Sequence, residues 1–402
     1  MSAKSFLLPF IIVLAQSSAA AQETMNIHPQ NKIKVTKPES LAVATSASMQ
    51  TDSVLFVKYK TDAKALVRGE AGTLTFPIPG LYRKQIPLSL KIWAEPKSAL
   101  VEYRISKRLD GINWTAQVVV KPPASGCVVH WESMILVDGD ERKILPKSKF
   151  PVEAPSSIKS WTASSVCVQS NQAAIIEKAN ELGKGTDDIE TYARRVMRFT
   201  STNKGNGAPF VSLDALSAMN CGGSCTSRAN LAAALLRARG IPARTVSHMP
   251  SWYQHPMYEH WLVEYWHPGA GWVWLESTIQ QMQPNPETVI VLAVSNLYDE
   301  ERATNFVHLR GIMPGAAYLS GCEFSKELKP AGLVNPQSNT VESVCKFADS
   351  KPGVKELKEV ARENFLHGIK NDSGNADLHA DKIDAAVRSG DLASLFVALK
   401  SN

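Results

Sequence analysis

Residues Asn220 to Arg244 read NCGGSCTSRANLAAALLRARGIPAR. From Ala229 to Leu236 seven of eight residues are apolar, which predicts a helix enclosed on nearly all sides rather than one lying on a surface. Its polar residues, Thr226, Ser227, Arg228 and Asn230, gather in the first turn, so the expected element is a buried rod whose N-terminal end opens onto solvent. Gly240 closes it and Pro242 prevents its continuation. Cys225 stands at the N-terminal end, where unpaired backbone N–H groups and the helix dipole favour thiolate, the nucleophilic form, over thiol. Cys221 is a turn further out, beyond Gly222 and Gly223, glycines that let backbone approach an incoming substrate closely. Backbone N–H groups around Gly223, Ser224 and Cys225 are natural oxyanion donors.

A thiolate catalyst needs a base and a group to orient it, neighbours in space rather than in sequence. The segments HWLVEYW (260–266) and GWVWLES (271–277), joined by a Pro/Gly-containing turn, predict a β-hairpin. If the turn centres on Gly269, residue 266 faces 272, 264 faces 274, 262 faces 276 and 260 faces 278. His260 and Glu276 then share a face as diagonal neighbours, with backbones roughly 7–8 Å apart. A slip of one residue would separate them. The pair supplies an imidazole as general base and a carboxylate to hold its tautomer.

These residues resemble the transglutaminase-like superfamily, a papain-like group with a Cys-His-Asp triad. Gly223-Ser224-Cys225, the helix running into LLRARGIPAR, the later His260 and the GWVWLES strand carry the resemblance over about residues 175 to 280, a quarter of the chain. It implies Cys225 as nucleophile, His260 as base and Glu276 as orienter, with Trp261 as a further oxyanion candidate through its indole N–H. Glu276 occupies the usual aspartate position, in EST where DPT is common, and a longer carboxylate can still orient histidine. His260 is followed directly by Trp261, where relatives often have a small residue before the tryptophan. Cys221 lies outside the motif, and could cap, regulate or simply neighbour the nucleophile.

The remaining chain reads as additions to this core. Ile86, Leu88, Leu90 and Ile92 alternate with Pro87, Ser89 and Lys91, Trp114 to Val120 repeat the spacing, and VVHWESMILV follows a Pro/Gly-containing turn. Short alternating segments predict a β-sandwich over 51–160. Helical texture begins near 170, where TDDIETYARRVMRFTST opens with a Thr/Asp cap signal. The expected class is therefore α+β: a linker at 22–50, an N-terminal β-sandwich at 51–160, a transglutaminase-like (papain-like) core at 161–290, and a helical C-terminal extension at 291–402. That extension's position would allow it to cover the cleft as a lid.

The chain opens MSAKSFLLPFIIVLAQSSAAAQ, with Lys4 before an apolar run and Ala19 and Ala21 in a small-x-small pattern, which predicts an export signal at 1–21. The run is much shorter than the roughly 20 residues that span a bilayer, so no stable membrane anchor is expected and the protein is read as periplasmic or secreted. The formal charge of +6 is scattered without a basic run, which argues against a nucleic-acid partner. Export lets disulfides persist, and sequence order among the six cysteines suggests Cys127 with Cys167 and Cys322 with Cys345. Zinc held by Cys221, Cys225 and nearby histidines lacks a second CxxC or HxxxH unit, no acidic loop of EF-hand type is evident, and no metal or cofactor is expected. His248 and His255 fall in an aromatic-rich stretch read as a mobile loop or a substrate rim. The expected activity is attack on a protein or peptide amide through a thioester, resolved by water or by an amine. Rival readings are a binding scaffold that has lost turnover and a redox protein using Cys221 and Cys225.

Overall fold

The computed structural model describes residues 51–62, 72–83, 85–107, 112–121, 123, 126–138, 145–207, 213–250, 260–295, 340–348, 352–371 and 380–400. The expected export signal, the linker, Cys322 and His255 lie outside them. Among the described residues no helix is long and apolar enough to cross a membrane.

Strands β1 (Thr51–Asp62), β2 (Gly72–Ile78), β3 (Gln85–Glu95), β4 (Leu100–Lys107), β5 (Trp114–Val120) and β6 (Val128–Val137) make the sandwich. One sheet runs β12-β1-β6-β3, where β12 is Thr340–Ala348, and the other runs β2-β5-β4. Alternation decides which face each side chain takes. On β6, Trp131, Ile135 and Val137 enter the core between the sheets, while Met134 and Leu136 face outward. The regular alternation read over residues 86–92 is interrupted: the register of β3 against β6 shifts between Pro87 and Ser89. Such a bulge inserts one residue and exchanges the faces. Ile86 and Leu88 consequently point to the outer face, and Leu90 and Ile92 to the inner core.

That outer face is covered by the C-terminal helices α5 (Val354–Asn371), α6 (Ala380–Ser389) and α7 (Leu392–Lys400), whose Leu357, Ala361, Ile383 and Leu395 pack on Val54, Ile86, Leu88 and Leu136. The extension also contains a strand, since β12 pairs antiparallel with β1. Its described helices lie on the sandwich instead of over the cleft, because an apolar sheet face was there to be buried.

The second half joins a five-stranded antiparallel sheet to a helical layer. The sheet runs β10-β9-β8-β7-β11, with β7 at Ala243–Pro250, β8 at His260–His267, β9 at Gly271–Glu276, β10 at Gln281–Met282 and β11 at Val289–Val294. Helices α1 (Ala173–Gly183), α2 (Ile189–Thr202) and α3 (Ala215–Cys221) surround α4 (Cys225–Ala238). As expected, α4 is enclosed: every residue from Ala229 to Arg237 is buried. Leu231, Leu235 and Leu236 are fully buried, and each contributes about 1.5–3 kcal/mol relative to exposure. Asp188 caps α2 by accepting the Thr191 amide, the role anticipated from the Thr/Asp signal.

Two features lock the sandwich to this core. The free edge of β11 is satisfied by buried side-chain amides: Gln85 bonds both the N–H and the carbonyl of Val291 at 2.8 and 3.0 Å, and Asn113 does the same at Val294, both at 2.7 Å. An edge strand's backbone groups must find partners when buried. The second is an ionic cluster around Glu264, which is wholly buried and accepts from Tyr82, Arg83 and Arg244.

No disulfide joins Cys127 to Cys167; each is a buried thiol. Cys127 belongs to the apolar core of the sandwich, whereas the backbone of Cys167 is bonded to Ala215 in the helical half. Sequence order ranks cysteines by separation along the chain, whereas the fold puts Cys127 in the core of the sandwich and ties the Cys167 backbone to the helical half.

Candidate functional site

The end of α3 and the start of α4 are joined by Gly222 and Gly223 at φ +87° and +79°, a conformation that side-chain-bearing residues rarely adopt. A Cβ on Gly223 would lie 2.1 Å from the Ser227 hydroxyl, and one on Gly222 would lie 2.9 Å from the Asn203 carbonyl. This double turn swings the chain so that Cys225 becomes the first residue of α4, with Ser224 as its extended N-cap. Arg228 clamps the turn: its guanidinium donates to the Gly223 carbonyl at 3.1 Å and to the Thr200 carbonyl at 2.6 Å. It also lies close enough to Cys225 for a negative charge on the sulfur to favour its own protonated form, partly offsetting its burial. Sequence reasoning placed Arg228 only among the polar first-turn residues; its position one turn into a cysteine-headed helix is the signal that could have marked it.

Cys221 ends α3. Its Sγ donates to the Ser217 carbonyl at 2.8 Å, and burial together with the Asp214 carboxylate pushes its thiol pKa up. Cys221 and Cys225 are both thiols with no bridge between them. The two cysteines of the opening stretch therefore occupy different chemical environments.

The hairpin adopts the register expected from its turn: Trp266 pairs with Trp272, Glu264 with Trp274 and Val263 with Leu275. His260 and Glu276 meet as diagonal neighbours, with His260 Nε2 2.9 Å from Glu276 Oε2. The other carboxylate oxygen accepts the Thr278 amide at 2.7 Å, so Glu276 is held from both sides while only 2% exposed. The imidazole reaches Cys225 as well. Burial alone would lower the His260 pKa, but hydrogen bonds to Cys225 and Glu276, and the negative charges of both, lift it to about 10. Thiol, imidazole and carboxylate thus form one connected chain from three elements, α4, β8 and β9.

One sequence expectation near this chain needs correction. His248 does not lie in a loop: it is in β7, directly opposite His260, only 1% exposed. The ring stands edge-on to that of His260 with centroids 5.3 Å apart. Burial and the neighbouring His260 hold its pKa well below the usual imidazole value, against weak support from the Met249 backbone that forms no well-aligned hydrogen bond. Trp261 is 1% exposed and belongs to the apolar cluster around α4, and strand alternation places it on the face opposite His260. Gly223 and Ser224 immediately precede Cys225 at the start of α4. Arg237 and Arg244 act structurally at the end of α4: Arg237 donates to the Ala243 and Ala163 carbonyls at 2.8 and 2.9 Å, and Arg244 pairs with Glu264.

Residues 170–277 match the family model of the transglutaminase-like superfamily. Among solved structures, a candidate cysteine protease from Cytophaga hutchinsonii is 16% identical with a TM-score of 0.48, the alignment covering 61% of this chain and 82% of that one. A candidate protease from Parabacteroides distasonis is 10% identical with a TM-score of 0.21, over 51% of this chain and 59% of that one. At this level neither likeness bears on activity or substrate. No curated protein matches the chain.

Proposed function

Starting from a chain whose residues 170–277 are a transglutaminase-like core, we propose that it is an exported cysteine enzyme acting on protein or peptide amides through a thioester on Cys225. The observation that carries this reading is the continuous contact Cys225–His260–Glu276, with the imidazole held protonated to about pH 10. A charged imidazole beside the sulfur favours thiolate. The sulfur attacks the amide carbonyl, and the backbone N–H groups at the start of α4 receive the oxyanion. His260 gives its proton to the departing amine, leaving the acyl group on sulfur; it then takes a proton from the attacking water, or from an amine, as the thioester is resolved. Glu276 keeps the imidazole oriented throughout. Export rests on the N-terminal segment from Lys4 to Ala21.

The test combines trapping with product analysis. The full chain is incubated with casein and a fluorescent primary amine, and peptide fragments, released ammonia and amine incorporation are followed beside Cys225→Ala. Fragments without incorporation indicate hydrolysis, and incorporation with ammonia release indicates transfer to amines. If wild type and Cys225→Ala are indistinguishable, and iodoacetamide labels Cys225 no faster than free cysteine, the enzyme reading is lost and the chain is a binding scaffold of this fold.

A further inference from the structure

We propose that His248, His260 and Glu276 form a binding site for a zinc-like divalent cation, and that the cation silences Cys225 by occupying the histidine the thiol depends on. Binding stands on geometry alone, whereas the silencing rests on the catalytic reading above.

The three side chains each offer one ligand atom, and those atoms lie within 4.8 Å of one another. They come from adjacent strands, with His248 on β7 facing His260 on β8 and Glu276 on β9 diagonal to it. In a tetrahedral zinc site, with Zn–N and Zn–O distances of about 2.0–2.2 Å, neighbouring ligand atoms stand roughly 3.3 Å apart. His260 Nε2 and Glu276 Oε2, at 2.9 Å, already approximate one edge of such a tetrahedron. The remaining edges require closure of roughly 1.5 Å at most from the observed 4.8 Å limit, within the reach of ring rotation.

The second observation is His248 itself. It is 1% exposed, and neither ring nitrogen has a hydrogen-bond partner among the described residues. A buried imidazole without partners is costly and calls for an explanation. The Ser-His-Asp type of chemistry does not use a second histidine, so His248 is surplus to the proposed reaction. Its position beside the pair that does the chemistry gives it a ligand instead. Two imidazoles and one carboxylate suit zinc or another first-row divalent ion, while calcium and magnesium prefer oxygen ligands throughout. Three protein ligands leave a fourth position for water or the Cys225 sulfur. On binding, the cation replaces the proton that His260 holds against Glu276; that proton leaves to solvent, and no bond to carbon changes. His260 can then neither stabilise the thiolate as a cation nor give a proton to a leaving amine.

This site differs from one built on the two cysteines, because the Cys221 thiol is committed to the Ser217 carbonyl. The experiment is titration of the full chain with Co(II), followed by its visible absorption, and with Zn(II) in competition with a chromophoric chelator. One ion per chain is expected, with affinity lowered at least about tenfold in His248→Gln and one ion retained in the double variant Cys221→Ser, Cys225→Ser. Iodoacetamide labelling of Cys225 should be slowed by the lowest zinc concentration that saturates wild type and restored by chelator, and at that concentration the slowing should be clearly smaller in His248→Gln. Near-UV circular dichroism checks folding; should His248→Gln not fold, Glu276→Gln replaces it with the same expectation. Unaltered affinity in the folded variant, or loss of the ion in the double cysteine variant, overturns the site. An unreactive Cys225 with His248-dependent binding would instead remove the catalytic reading and leave the cation site standing.

Discussion

Replacing Glu276 by glutamine isolates the carboxylate's contribution to the site. The residue is 2% exposed and its side chain holds two partners, His260 Nε2 at 2.9 Å and the Thr278 amide at 2.7 Å. Glutamine matches its size but has a single acceptor oxygen, so one of the two hydrogen bonds is lost and the charge disappears. An opposite charge at this range shifts a pKa by about 1–3 units, and each unit corresponds to about 1.4 kcal/mol. His260 should therefore titrate about 1–3 units below its wild-type value of about 10. The sign follows from the direction of the shift. Because the folded pKa lies above that of a free histidine, the stabilisation from the protonated ring is fully present below about pH 6.5 and disappears as pH rises through about 10. In Glu276→Gln the same loss should occur earlier in the alkaline range. The assay is the NMR titration of His260 in both proteins, paired with the pH profile of Cys225 labelling. An unchanged His260 midpoint in a folded variant would refute the assignment of Glu276 as the group that holds the imidazolium.

Three further outcomes are expected. Gly223→Ala places a Cβ 2.1 Å from the Ser227 hydroxyl at φ +79°, so stability should fall by about 1–3 kcal/mol, read as a lowered denaturation midpoint, and labelling of Cys225 should slow with it. Glu264→Gln leaves the buried Arg244 without its counter-ion and should destabilise the fold by about 3–5 kcal/mol. Burial raises the Glu264 pKa, but Arg244 and Arg83 lower it further, so its stabilisation is present above the ordinary carboxylate range and is lost as pH falls through the depressed folded value. Denaturation at pH 7 and again at progressively lower pH should show wild type converging on the variant only on acidification. Cys221→Ala should leave the labelling rate of Cys225 within about twofold, the span of about 0.5 kcal/mol usual for a substitution that removes no special interaction, because the Cys221 thiol is held protonated by burial and Asp214 and donates to the Ser217 carbonyl.

Local pattern was enough to recover several parts of the molecule. The enclosed helix, its cysteine-headed start and its Gly-Pro stop follow from a run of apolar residues bounded by capping and breaking types, all set by neighbours in sequence. The 260–276 hairpin is similar: a short turn leaves one register in which both strands alternate correctly, and that register brings His260 to Glu276. Other features had no local signature. The bulge at Pro87 to Ser89 divides four residues that look like one stripe, and the pairing of β12 with β1 joins segments from opposite ends of the described chain.

What the sequence by itself determined, then, is the set of elements whose partners lie a few residues away: α4, the glycine turn before it and the hairpin that faces it. What only the tertiary structure decided is everything that depends on which surfaces meet. It put the C-terminal helices on the sandwich, kept Cys127 in the sandwich core and tied Cys167 to the helical half, gave Arg228 to the loop around Cys225 and set His248 against His260. The reason is physical. Periodicity and capping are encoded within one or two turns of chain, whereas burial of one apolar face against another, and the pairing of buried polar groups, are settled by competition among all the surfaces that the folded chain brings together.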